Sequence, residues 1–320
     1  MRILSSLDIA RCLDMSEAID AMRDAFGQLS AGEADVPQRL ALRTPDGVSL
    51  FMPGFLPRRG DLAAKIVSVY GGNPALGLPV VNAVVVLLDS STGVPVALMN
   101  GTSLTALRTG AAGGLAADLL ALPEADTVAL FGAGAQARTQ LEAVRVVRPI
   151  RRVRILSRSG ESAGRLVTEL EGVDAEVASD PAHCLEGAQI VITATDASEP
   201  VFPGELVTPG THVTGVGSFT PDMREVDAAL VTRAKVIVDS RDAALAEAGD
   251  LIVPIREGSF RPEDIHAELG EVVHGIRSGR ENPSEVTFFK SVGSAAQDVV
   301  VAGRIFRRAR EMNLGTVVEL

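Results

Sequence analysis

The stretch "TVALFGAGAQARTQ" (127–140) constrains this chain more than any other, because an apolar strand runs straight into a glycine-rich turn and then into a helix-forming segment. It fits G-x-G-x-x-A at Gly132, Gly134 and Ala137. The first glycine permits the tight turn and the second lets the backbone approach a pyrophosphate. The small third residue lets the helix, opened by Ala135 and Gln136, pack on the sheet with its N-terminus toward the phosphates. Three glycine-type positions alone are a weak signal; here they stand at the head of a strand–helix–strand series. "RRVRILS", "ESAGRLVTELEG", "AEVA", "AQIVITAT", "THVTGVG" and "AKVIVDS" continue the alternation of short apolar strands with helices. That pattern predicts an α/β fold with a doubly wound parallel sheet of Rossmann type that binds a dinucleotide.

The end of the second strand refines the ligand. A free ribose 2′-hydroxyl is usually held there by Asp or Glu, and a 2′-phosphate by Arg with small hydroxyl residues. This chain has Ser157, Arg158 and Ser159. NADP(H) is therefore the preferred expectation, with NAD(H) possible; the alternative for Arg158 is a solvated surface charge.

Before residue 119 the periodicity differs. Apolar residues at helical spacing between Ser6 and Leu29 predict one or two amphipathic helices. "VSLFMPGFL", "LAAKIVSVY", "VVNAVVVLLD" and "PVALMN" are strand-like, with "SSTG" (90–93) as a tight turn pairing the last two. A small-residue helix over 101–121 follows, whose Ala and Gly faces let another element approach closely. The chain order predicts a Rossmann domain at 119–296 inserted in an α+β domain made of 1–118 and 297–320.

The 320-residue chain carries 41 Asp and Glu against 30 Lys and Arg, a net charge of −11, which argues against a nucleic-acid partner. No apolar run reaches the length of a membrane span, and "MRILSSLDIARCLD" lacks the apolar core of a signal peptide. No membrane association and a cytoplasmic location are the expectations. Cys12 and Cys184 lie outside any paired spacing, so no metal or disulfide framework is expected and both are read as buried small apolar residues. His266, Glu268, Glu271 and His274 lack a ligand spacing and read as a solvated helix face; His183 and His212 read as loop residues without evident partners. Asp222, Arg224 and Glu225 read as a local loop or domain-closing ion pair.

Three further stretches, "VPQRLAL…LFMPG", "AAKIVSVYGGNPALGLPVVNAVVVLLDSSTGVPVALMNGTSLTALRTGAAG" and "FFKSVGSAAQD", together with the glycine turn, resemble the ornithine cyclodeaminase/μ-crystallin family. The resemblance implies a dimerising α+β domain around a Rossmann domain, a homodimer, and a 2-amino or 2-imino acid substrate. Its carboxylate would be gripped by Arg39, Lys65 and Arg108. Arg offers a planar fork for a carboxylate, and a buried Lys adds charge or a mobile proton. Each cation alone could also be a surface charge or an ion-pair partner; Lys65 is the least ordinary, since it interrupts an apolar strand.

Two departures from the cyclodeaminases point elsewhere. Where those enzymes carry a threonine and an aspartate, this chain has Val80 and Phe219. Neither can take a proton, and with Met52 they would form an apolar wall suited to a ring's methylenes. The resemblance thus implies the ketimine reductase branch, which reduces Δ1-pyrroline-2-carboxylate and Δ1-piperideine-2-carboxylate by hydride transfer to C=N. It also implies that Thr193, Ala194 and Thr195, then Val216, Gly217 and Ser218, lie along the cofactor, with Ser291 and Gly293 near the nicotinamide. Alternatives are the ornithine cyclodeaminase reaction, an acyclic amino-acid dehydrogenase or iminosuccinate-type reductase, and a non-catalytic NADPH-binding, crystallin-like protein.

Overall fold

In a computed structural model, which describes residues 1–319, the chain forms one unit from Met1–Arg108 with Ser294–Leu320 and another from Thr109–Gly293. The changeovers fall at 108/109 and 293/294, not at the 118/119 and 296/297 read from the sequence. The physical reason for the first is that it lies inside an unbroken helix, where nothing in the sequence marks a boundary.

The chain begins with β1 (Arg2–Leu4), α1 (Ser6–Cys12) and α2 (Met15–Ser30), followed by β2 (Leu40–Thr44), β3 (Gly47–Leu56), β4 (Asp61–Val69), β5 (Val81–Asp89), β6 (Pro95–Asn100) and α3 (Gly101–Leu120). Both early helices start on capping boxes, Ser5 with Asp8 and Asp14 with Glu17, which satisfy the first free N–H groups. The second unit then runs β7 (Thr127–Phe131), α4 (Ala135–Val147), β8 (Arg152–Leu156), α5 (Gly160–Glu169), β9 (Asp174–Val177), α6 (Pro181–Leu185), β10 (Ile190–Thr193) and β11 (His212–Gly215). It continues with α7 (Ala228–Arg233), β12 (Lys235–Val238), α8 (Arg241–Glu247), α9 (Gly249–Arg256), β13 (Ala267–Glu268), α10 (Leu269–Val273) and β14 (Thr287–Lys290). The chain ends in the first unit with α11 (Ala295–Glu311) and β15 (Thr316–Val317).

In the first unit a seven-stranded sheet has the order β15-β1-β6-β5-β4-β3-β2. The turn at 90–93 joins β5 and β6 as an antiparallel pair. Period-two alternation sends Met52, Lys65, Val85 and Met99, which are cross-strand neighbours, to one face, where all are buried. α11 covers that face closely: a Cβ on Gly54 would lie 3.1 Å from Val299 Cγ2. The opposite face keeps apolar residues in the open, with Leu40 61% and Leu42 52% exposed and Val84 at 40%.

The second unit holds an eight-stranded sheet, β13-β12-β14-β11-β10-β7-β8-β9, in which every neighbouring pair is parallel. β14, last in sequence, is inserted between β12 and β11. Its core comprises apolar clusters including Val128, Leu130 and Ile192, and Val191, Val213 and Phe288. The small residues of α3 act as read: a Cβ on Gly110 would meet Thr139 O of α4 at 2.5 Å, and Gln140 donates to Thr109 O at 2.6 Å. Among the described residues no helix is long and apolar enough to cross a membrane, and no group of His, Cys, Asp or Glu could hold a metal ion.

Candidate active site

At the C-terminal end of β7 the turn enters α4 as its glycines require. Gly132 has φ +106°, and a Cβ there would stand 2.5 Å from Ala194 O, so both conformation and space exclude a side chain. Nothing lies within 4 Å of a Cβ built on Gly134, the N-cap of α4, which lacks a side-chain cap. The free N–H groups of that helix start are therefore available to an anion. Ala137 is fully buried against the sheet, while Ala135 and Gln136 form the first turn of α4.

The turn opens on a cavity of about 870 Å³ lined by Gly132, Gly134, Ser157, Arg158, Ser159, Ala194 and Thr195, among others. This volume, a positive-φ glycine and an uncapped helix start fit a dinucleotide. Ser162 and Asp196, both missed by the sequence reading, also line it. The Ser157 hydroxyl donates to Ser159 O at 2.6 Å, and Ser159 Oγ caps α5 through Ser162 N. Arg158 is ion-paired with Asp196, and both are largely exposed.

Two buried carboxylates organise the loops beyond β10, β11 and β14. Glu225, read from sequence as part of a local loop or domain-closing ion pair, is fully buried. It accepts hydrogen bonds from Thr195 N (2.7 Å) and Oγ1 (2.8 Å), Gly217 N (2.7 Å) and Ser218 N (3.2 Å). The correction has a physical reason: a carboxylate satisfied by backbone donors can enter the core, which local charge spacing does not reveal. Burial pushes its pKa up, opposed by nearby Lys290 and assisted by Asp250. Asp250 accepts from Glu225 N and Val226 N and pairs with Lys290 at 2.8 Å, both side chains fully buried.

Asp239 performs the same service after β14, accepting from Ser291 Oγ, Val292 N and Gly293 N at 2.7–2.9 Å. The Ser218 hydroxyl donates to Met223 O, so Ser218 and Ser291 point inward. Thr193 is buried at the end of β10, and Val216 is half-buried. His212 is no loop residue: it opens β11, fully buried, with its ring nitrogens 2.9 Å from the hydroxyls of Thr287 and Thr214. Cys12 and Cys184 are free and buried.

In the first unit, Lys65 and Arg108 come together around a residue the sequence reading did not single out. Lys65 Nζ lies 2.6 Å from Asp298 Oδ2, and Arg108 Nε donates to Asp298 Oδ1 at 3.0 Å. Arg108 Nη1 donates to Gln297 Oε1 at 2.7 Å. All four side chains are buried. Deleting one partner of such a pair typically costs about 3–5 kcal/mol, because a buried charge is left uncompensated. Burial lowers the Lys65 pKa to about 8, against the attraction of Asp298, while Arg108 and Arg39 repel its proton. Arg39 is thus electrostatically part of the cluster, though half-buried. Met52 is the buried cross-strand neighbour of Lys65. Val80 is 38% exposed just before β5, and Phe219 belongs to the other unit. Asn100, the last residue of β6, accepts from Ser103 N in the first turn of α3.

An aspartate in the apolar run "AAQDVVVAG" was the available signal for Asp298, of the same kind that made Lys65 stand out. A partly deprotonable lysine beside guanidinium groups can hold a carboxylate and manage a proton next to it.

Comparisons with known proteins find relatives over the whole length of the chain. A Bacillus cereus protein named Delta(1)-pyrroline-2-carboxylate reductase is 38% identical over 325 residues, covering 100% of both chains. The solved Thermococcus litoralis Delta(1)-pyrroline-2-carboxylate reductase, in complex with NADH and L-proline, superposes with a TM-score of 0.97 at 40% identity, covering 99% of this chain and 100% of that one. An archaeal alanine dehydrogenase dimer with bound NAD gives 0.94 at 35% identity, covering 100% and 99%. The model of the ornithine cyclodeaminase/mu-crystallin family matches residues 1–313, and to that family the chain belongs.

Proposed function

We propose that this protein reduces cyclic 2-imino acids, Δ1-pyrroline-2-carboxylate or Δ1-piperideine-2-carboxylate, to L-proline or L-pipecolate at the expense of a reduced nicotinamide dinucleotide. The observation that carries this reading is the buried Lys65–Asp298–Arg108 cluster, which sets a lysine near its titration point beside a guanidinium, in a chain that also holds a dinucleotide cradle. Gly132 and Gly134 with the start of α4 would take the pyrophosphate, and Ser157, Arg158 and Ser159 the adenosine ribose. Ser159, Ser162 and Arg158 in place of a carboxylate favour NADP(H), while Asp196 beside Arg158 leaves NAD(H) acceptable. The reduced nicotinamide supplies the hydride when bound.

Arg39 and Arg108 would anchor the substrate carboxylate, and Lys65 would add its charge and hold a proton near the substrate nitrogen. Met52 and Val80 of the first unit would offer the ring an apolar surface without a group able to bind a second ammonium. The open apolar face of the first unit's sheet supports a homodimer, as named for the alanine dehydrogenase. That relative also supports a second reading, reductive formation of an acyclic amino acid.

The test is a substrate screen followed at the reduced-nicotinamide absorbance, with NADPH and NADH in parallel. Oxidation with Δ1-pyrroline-2-carboxylate is expected. Oxidation only with an acyclic 2-oxo acid plus ammonia would favour the second reading, and ammonia release from ornithine without net NADPH change would favour the lyase.

A further inference from the structure

We propose that Asp298 is a positioning residue: it holds Lys65 and Arg108 side by side and keeps the proton on Lys65 Nζ, so that the lysine stays cationic toward a substrate carboxylate. The inference rests on the function proposed above and deepens it.

Each oxygen of Asp298 serves one cation, Oδ2 lying 2.6 Å from Lys65 Nζ and Oδ1 accepting from Arg108 Nε at 3.0 Å. The neighbouring Gln297 accepts from Arg108 Nη1, so adjacent residues of one helix fix the guanidinium plane in two directions. Asp298 lies in the first turn of the seventeen-residue α11, where the helix dipole favours negative charge.

The charged groups facing Lys65 can be named from each neighbouring element. α11 presents Asp298, α3 presents Arg108, and the segment before β2 presents Arg39. Its cross-strand neighbours on β3 and β5, Met52 and Val85, carry no charge. Burial and both arginines favour the neutral amine; Asp298 opposes all three. Without it the lysine would lose its proton near neutrality and cease to attract a carboxylate. Asp298 thus keeps Lys65 as a third positive charge, beside Arg108 and Arg39, for the substrate to meet.

The experiment measures the dissociation constant of L-proline, the proposed product, with oxidised cofactor present, from pH 6 to pH 10. In the wild type, affinity is expected to fall as pH rises through about 8. In Asp298→Asn, of the same shape but uncharged, the fall should begin at least about one pH unit lower, with affinity at pH 6 changed much less. Asp298→Glu, keeping the charge, should restore the position of the fall. An Asp298→Asn profile parallel to the wild type, weakened equally at every pH, would overturn the proposal and leave only a packing role.

Should Asp298→Asn fail to fold, Lys65→Arg decides: its guanidinium does not deprotonate in this range, so a fall surviving near pH 8 overturns the proposal and its disappearance supports it. If the wild type binds no L-proline at any pH, the proposed function fails instead. The charge argument is then read from unfolding of the ligand-free protein. Lys65 titrates at about 8 folded against 10.5 unfolded, so stability should rise with pH between those values. That rise should start lower in Asp298→Asn; an unchanged onset overturns the proposal.

Discussion

His212 carries a consequence of its own. Its imidazole is sealed between Thr287 and Thr214, and burial, aided by Arg280 and Arg148, lowers its pKa to about 3. An unfolded histidine titrates near 6.5, so between that value and about 3 the unfolded chain holds a proton the folded one refuses. Stability should therefore fall as pH drops through this window, by about 1.4 kcal/mol per pH unit for one proton. His212→Gln is expected to flatten the dependence by one proton between pH 6 and pH 4, read by urea unfolding; an identical slope in both proteins would remove His212 as its source. The sequence could not disclose this, because period-two burial predicts where a strand residue points but not which hydroxyls await it. Lys65 was legible as a charge inside an apolar strand. Asp298 was equally anomalous within its helix, yet its partner Arg108 lies 190 residues away, a pairing no local spacing encodes.

Elements were legible where their periodicity was long enough. β3 to β6 and the alternation after β7 follow from alternating or continuous apolar runs bounded by turn residues. The strands β1, β13 and β15, of two or three residues, carried too few to establish a period, and β14 takes its sheet position through a long-range crossover. The turn between β8 and α5 is where sequence and geometry jointly address the cofactor. Arg158→Ala should weaken NADPH binding about tenfold, the loss of one charge-assisted contact, while changing NADH binding by less than about threefold. Dissociation constants from fluorescence of the reduced cofactors would measure this, and equal losses for both would assign Arg158 to packing or surface charge.

For the molecule as a whole, the uncovered face of the first sheet has its own consequence. Leu40, Leu42 and Val84 stand in the open beside Ile66, which is 37% exposed, and a contiguous apolar surface of this kind marks an association site. A wild-type dimer by light scattering, reduced to monomer by Ile66→Lys with Val84→Lys, is the expected result; a monomeric wild type, or a variant still dimeric, would contradict it. The latches formed by Glu225 and Asp239 have an effect on energetics at the opposite end of the scale. Because those carboxylates stitch the rims of β10, β11 and β14 from within, these loops are ordered during folding and have little freedom left to surrender on ligand arrival. Association there is then governed by what the incoming molecule touches, not by how much chain it must tame.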